Sequence, residues 1–187
     1  QQQKKESGTT YYGEATELLD TTQAAQLSGQ IFLEATGADA ALISYNIYQP
    51  EVLSNLENGY GANGQILPGK MSEEDITIFL PTGWYDTLQT ATLTGNQIKQ
   101  MAKDGCDLRD NGYPYPYVLM TKDGSALEDE NEYTVVICGI PKAMKESRSL
   151  NLQDTGIVGL DAAKEYLTKV GELSSATLDD YLVQIVE

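Results

Sequence analysis

The sequence predicts a single mixed α/β domain, α+β in class, with a mixed β-sheet and flanking helices. Three observations carry that prediction. Ala24, Leu27, Ile31, Phe32 and Ala35 follow the i, i+3, i+4, i+7 spacing of a helix with one buried face, and Gly37 stands where a left-handed C-terminal cap is wanted. Directly after it, Ala40-Ala41-Leu42-Ile43 is a short unbroken apolar run, the pattern of a strand covered on both faces. Far downstream, Tyr133-Thr134-Val135-Val136-Ile137-Cys138 is the strongest strand signal in the chain.

Length and composition set the bounds. At 187 residues the chain holds one domain with a real core, with no interior break that calls for two. Twelve basic against 28 acidic residues give a formal charge of −16, which repels a nucleic-acid backbone or an anionic membrane, and neither is expected as a partner. Histidine is absent, so a histidine-dependent catalytic centre or histidine-bound metal is excluded. Cys106 and Cys138 lack C-x-x-C spacing and read as two buried thiols or as one disulfide. No apolar stretch approaches the ~20 residues that cross a bilayer, so no membrane span is expected. The chain starts at Gln1 and not at Met, which reads as an excised piece of a longer protein.

Taken in order, residues 1–10 are polar and read as a disordered leader, and residues 11–187 as the domain. Residues 11–19 carry the β-formers of an opening strand, and Asp20 with Gln23 forms a capping box for the first helix. Residues 44–70 form a long polar section around Asn58-Gly59-Tyr60-Gly61, a length that marks functional loops. Ser72-Glu73-Glu74-Asp75 opens a second helix, ended by Pro81 and Gly83. Residues 87–93 read as a Thr-rich strand, and Thr94 with Gln97 caps a helix bearing Ile98, Met101 and Ala102, which Gly105 should stop. The prolines of Tyr113-Pro114-Tyr115-Pro116-Tyr117 exclude helix, and Val118-Leu119-Met120-Thr121 then runs extended into the turn Lys122-Asp123-Gly124-Ser125. Residues 141–156 read as a polar loop before a last helix with Leu160, Ala163, Leu167 and Val170 on one face, ended by Gly171. Residues 181–186 suggest a final edge strand.

Several of these blocks resemble one family. Glu34-Ala35-Thr36-Gly37-Ala38-Asp39 followed by Ala41-Leu42-Ile43 is similar to the first motif of the C-terminal domain of the 5′-nucleotidases and UDP-sugar hydrolases, two-domain metallophosphoesterases. Ile66-Leu67-Pro68-Gly69, Glu74-Asp75-Ile76 and Phe79-Leu80-Pro81 resemble the family's L-P-A-G, E-D-I/V and V-L-P-F-G segments. Leu93-Thr94-Gly95-Asn96-Gln97-Ile98-Lys99 resembles E-L-T-G-x-Q-L-K, residues 127–136 resemble L-D-P-D-K-x-Y-T-V-A, and Ala163-Lys164-Glu165-Tyr166-Leu167 the terminal helix. The resemblance implies a substrate-specificity domain that is not catalytic alone. It implies a partner N-terminal metallophosphoesterase domain holding the divalent metals, no cofactor or metal in this chain, and an extracytoplasmic location.

It also implies where a small-molecule ligand would bind, and there the sequence departs from the family. Ser44 stands where an asparagine and Tyr48 where an arginine of N-G-G-G-I-R is expected, with Tyr45 and Asn46 beside them. Leu88 takes the place of the first stacking aromatic, although a short insertion brings Trp84 and Tyr85 close by. Cys138-Gly139-Ile140-Pro141 replaces N-D-F-L, and no G-G-D-G follows. Ser44, Tyr45, Asn46, Tyr48, Trp84 and Tyr85 are therefore the candidate substrate-binding residues of a pocket diverged from standard nucleotides. The alternative reading is a non-catalytic ligand-binding or protein-interaction module of an exported surface protein. The physical chemistry agrees with divergence: a phosphate monoester wants a guanidinium fork or a row of backbone N–H groups, and the arginines are Arg109 and Arg148 alone.

Other constellations carry less. Gly64-Gln65-Ile66-Leu67-Pro68-Gly69-Lys70 satisfies G-x-x-x-x-G-K, but Met71 stands where Ser or Thr would bind magnesium, and Pro68 removes a donor. Glu73-Glu74-Asp75 and Glu128-Asp129-Glu130-Asn131-Glu132 lack a calcium-loop ladder and read as a solvated helix start and turn. Trp84-Tyr85 and the proline-spaced tyrosines 113–117 suit a sugar, a nucleobase or a partner protein, or else cover a domain edge.

Overall fold

The computed structural model describes residues 8–44, 64–82, 85–107, 117–138, 150–178 and 184–185. In chain order these form β1 (Glu14–Ala15), α1 (Thr21–Thr36), β2 (Ala40–Ser44), β3 (Gly69–Lys70), α2 (Glu73–Phe79), β4 (Thr87–Thr94) and α3 (Gly95–Asp107). There follow β5 (Tyr117–Thr121), β6 (Glu132–Cys138), β7 (Gln153–Val158), α4 (Gly159–Val170), β8 (Glu172–Leu173), a 3₁₀ turn (Ser175–Thr177) and β9 (Gln184–Ile185).

The caps form as their spacing demands. The Asp20 carboxylate accepts the Gln23 N–H at 2.8 Å while the Gln23 amide oxygen accepts the Asp20 N–H at 2.9 Å, and Gly37 closes α1 at φ 67°. Thr94 and Gln97 make the same reciprocal pair at the start of α3.

The main sheet has six strands in the order β7-β4-β6-β2-β5-β9. Its centre is β2, parallel to β6 and antiparallel to β5, and Ala40, Ala41, Leu42 and Ile43 are each buried to 1% exposure or less. Ala41 and Ile43 pack with α1, α2 and α4 on one face, whereas Ala40 and Leu42 pack with Ile98, Met101 and Ala102 of α3 on the other. A strand with an apolar layer on both sides cannot alternate, which is why its sequence is a continuous apolar run. Gly29 lets α1 sit close to β5, because a Cβ there would come 2.4 Å from the Met120 sulfur.

Three sequence expectations are corrected. The opening strand shrinks to β1, which joins β3 and β8 in a separate three-stranded sheet, β3-β1-β8, so there are two sheets and not one. Gly105 does not stop α3, which runs on to Asp107; one glycine costs a helix only about 1 kcal/mol. The loop foreseen over 141–156 contains the start of β7, whose polar residues suit an edge strand paired only with β4 among the described residues. The final edge strand expected within 181–186 is present as β9, paired with β5 at the end of the main sheet.

The glycine-rich stretch ending in Lys70 spends its backbone on the small sheet. Lys70 pairs with Glu14 in β3, Ile66 bridges Leu19, and the Met71 carbonyl accepts the Tyr12 N–H at 2.9 Å. It begins no helix at the lysine, as a phosphate loop would.

Candidate ligand-binding end of the sheet

One end of the main sheet gathers the chain segments the sequence singled out. Because β2 and β6 run parallel, their carboxyl ends, Ser44 and Cys138, lie at the same edge, and Ser44 pairs with Tyr117 at the start of β5. β4 begins there at Thr87, opposite Val158, the last residue of β7, and α4 starts at the next position. The carboxyl ends of parallel strands are where α/β sheets place ligands, since the connecting segments there are free of ladder hydrogen bonds.

The segment leading into β4 is fixed to the start of α4. The Gly159 N–H donates to the Asp86 carbonyl at 3.1 Å, and the Thr155 hydroxyl donates to the Leu88 carbonyl at 2.7 Å. Gly159 has no room for a side chain: a Cβ would lie 2.8 Å from Thr82 Cγ2 and 3.1 Å from Leu88 Cδ2. Asp154 adds a tether, accepting the Gly156 N–H at 2.8 Å and a hydrogen bond from Thr87. These two bonds, the Gly156 one first, hold its carboxyl below the usual carboxylate range. Thr82 packs against Gly159, Asp86 is hydrogen-bonded to it, and Tyr85 is 86% exposed. An exposed ring on an anchored segment is a stacking surface at small entropic cost.

The predicted residues divide accordingly. Ser44 and Tyr85 come to this same end of the sheet. Tyr45, Asn46, Tyr48 and Trp84 lie outside the described residues, as do the side chains of Ser44, Cys106 and Cys138. Leu88, at the inherited aromatic position, is buried to 1% exposure against the α4 side and is a core residue.

Charge is poorly placed for phosphate. Among the described lysines, Lys99, Lys122, Lys164 and Lys169 are paired with Asp129, Asp39, Glu73 and Glu34, Lys70 lies over the Tyr11 ring, and Lys103 is exposed on α3. Arg109 and Arg148 lie outside the described residues. Metal donors do not converge either, since the chain has no histidine and no group of three or more His, Cys, Asp or Glu comes together among the described residues.

Sequence reasoning missed what the most regular motifs do. Asp39 accepts the Thr134 N–H at 2.9 Å and the Lys122 ammonium at 2.7 Å, tying the starts of β2 and β6 to the turn after β5. The Lys122 bond first, then the Thr134 N–H, lowers its pKa against a smaller opposing effect of burial. The 127–131 loop folds over the start of α3: Asn131 and Asp129 carbonyls accept the Gly95 and Asn96 N–H groups at 3.0 Å each, and Lys99 reaches the Leu127 carbonyl at 2.7 Å. Both motifs are joints of the scaffold.

Solved structures share this architecture. The chain is similar to a 5′-nucleotidase precursor from Thermus thermophilus, with a TM-score of 0.59 at 17% identity over 88% of this chain and 38% of that one. The fold is 5′-nucleotidase C-terminal-domain-like. It is similar also to the NAD nucleotidase of Haemophilus influenzae (TM-score 0.61, 14% identity, 92% of this chain and 37% of that one). A third likeness is to the sulfate thiohydrolase SoxB of Thermus thermophilus (0.55, 15%, 88% and 33%). The chain therefore spans little more than a third of these neighbours, and at such identities the 5′-nucleotidase likeness is one of fold. No protein-family model and no curated protein matches the sequence.

Proposed function

We propose that this chain is the substrate-specificity domain of a 5′-nucleotidase-like metallophosphoesterase, not catalytic alone and turned toward a ligand other than a standard nucleotide. The observation that carries the reading is the shared fold over 88% of the chain with a 5′-nucleotidase more than twice its length. Neighbours named for a 5′-nucleotide, for NAD and for a sulfate thiohydrolase reaction support a scaffold that accepts different substrates. The partner in this reading is an N-terminal metallophosphoesterase domain that supplies the divalent metals. This chain's donors do not fit that centre, because it lacks histidine. Ligand contacts would come from Ser44, Tyr45, Asn46, Tyr48, Trp84 and Tyr85, in a protein exported from the cytoplasm.

Loss of the family's asparagine and arginine, replaced by Ser44 and Tyr48, favours a second reading as a non-catalytic binding or interaction module. The upstream sequence separates the two: D-x-H and G-N-H-[DE] ligand motifs support the enzyme, and their absence removes it. For the pocket itself, thermal shift with AMP, adenosine and UDP-glucose at millimolar concentration is expected to be flat. A clear shift with AMP, lost in Tyr48→Ala or Tyr85→Ala, would show that standard nucleotide binding persists and defeat the claim of divergence.

A further inference from the structure

The face of the sheet opposite α3 carries a concavity. It is a trough of about 370 Å³ between α1 and α4, open along one side. Ile31, Ala35, Ile157 and Ala162 form its floor, and all pack on or within the main core cluster. Glu34, Asp161 and Glu165 stand on the rim with a single cation, Lys169, already engaged by Glu34.

Two features of the rim identify what it fits. Asp161 and Glu165 are one helical turn apart, where like charges destabilise a helix by a few tenths of a kcal/mol. Lys164 and Lys169 on the same helix offset part of that repulsion, yet the trough's own lining keeps three carboxylates against one lysine. An apolar floor bounded by carboxylates is complementary to side chains that pair a hydrocarbon body with a positive end. A second copy of this chain is a poor occupant, since it brings the same negative charge.

We infer that the α1–α4 trough is a docking surface for a cationic amphipathic protein segment, one that sets apolar side chains on the partly exposed Ala35, Ile157, Val158 and Ala162 and lysines or arginines against Glu34, Asp161 and Glu165. The inference stands apart from the ligand reading at the sheet end. The two places meet at Val158, which lines the trough and pairs with Thr87, but none of the candidate ligand residues lines the trough.

The test uses the full isotopically labelled chain and, as probe, an amphipathic leucine–lysine peptide of about fifteen residues, the length at which an isolated helix becomes viable. Saturable amide shifts should concentrate at residues 31–35 and 157–166, and the same peptide with glutamates replacing the lysines should give none. Neutralising the rim with Asp161→Asn and Glu165→Gln should weaken binding about 5-fold, as two partly exposed ion pairs imply, whereas Glu128→Gln with Glu130→Gln should change it less than about 2-fold. Ala162→Glu, on the partly buried floor, tests the apolar contact separately, with circular dichroism to confirm its fold; it should abolish the mapped shifts. Equal weakening by the control pair, shifts spread over the whole acidic surface, or absence of saturation overturns the inference. So does self-association of the free chain that Ala162→Glu dissolves, which would make a second copy the occupant.

Discussion

Gly95 offers the sharpest test of how the scaffold is joined. A Cβ at this position would lie 2.2 Å from the Glu128 carbonyl oxygen and 2.8 Å from its carbon, with the Leu127 Cβ at 3.3 Å. A carbon–oxygen contact needs about 3.3 Å or more, so Gly95→Ala must move either the start of α3 or the loop by about 1 Å. The obstacle is backbone and cannot swing aside as a side chain would. The same loop accepts the Gly95 and Asn96 N–H groups at 3.0 Å each. A 1 Å displacement breaks at least one of these bonds, at roughly 0.5–1.5 kcal/mol, on top of about 1–3 kcal/mol for overpacking. Alanine returns at most about 1 kcal/mol of helix propensity. The net loss is about 2 kcal/mol, which at a urea slope near 2 kcal/mol per molar moves the midpoint down by about 1 M. Equilibrium urea unfolding, followed by circular dichroism with the slope fitted freely, reads this directly. Gly64→Ala is the control, since its nearest contact would be Thr21 Cγ2 at an ordinary 3.6 Å. A Gly95→Ala midpoint equal to or above that of the parent, at unchanged slope, would refute the backbone-contact argument and leave propensity as the dominant effect.

Two other perturbations have definite signs. Asp39 has its folded pKa lowered by Lys122 and the Thr134 N–H, so its contribution is present above the unfolded carboxylate pKa and is lost as pH falls through the lower folded value. Asp39→Asn should therefore cost about 1 kcal/mol near neutrality, a modest figure because 34% of the side chain is in water, and the gap in thermal midpoint should close below about pH 4. A gap that stays constant down to pH 2.5 would mean that shape and not charge matters. Gln30 is buried to 4% exposure with neither amide atom hydrogen-bonded among the described residues, and Gln30→Met keeps the length while removing the desolvated dipole. Its melting temperature should rise by about 2–6 °C, from a gain of about 1–2 kcal/mol; a fall would show that the amide has a bonding role.

What could be read from the chain follows the range of the interaction. Asp20–Gln23 and Thr94–Gln97 are partners three residues apart, so their caps were legible, and β2 and β6 were legible because burial on both faces leaves an apolar run. β7 was not, since its residues gain their conformation from pairing with β4 and its glutamine, aspartate and glycine carry no strand preference of their own. The two-residue ladders of the small sheet are still less visible, because each joins segments far apart in sequence. At the candidate site, the location of Ser44 could be foreseen from the end of its strand, whereas the clamp of Thr82 and Asp86 on Gly159 exists only once α4 has packed. In the trough, the one readable sign was the like-charge spacing of Asp161 and Glu165.

The contrast between kept and altered motifs has a physical basis. Gly37, Asp39, Gly95, Gln97 and Lys99 lie in the blocks that resemble the 5′-nucleotidases most closely, and each is engaged in a cap, a strand staple or a backbone contact whose removal would loosen the fold. Ser44 is the last residue of β2, where the ladder makes little demand on side-chain identity, and Leu88 is a core residue. A scaffold constrained in this way keeps its joints recognisable whatever stands beyond its strand ends. The strength of the motif likeness therefore measures what the fold requires of the chain and says nothing by itself about a ligand.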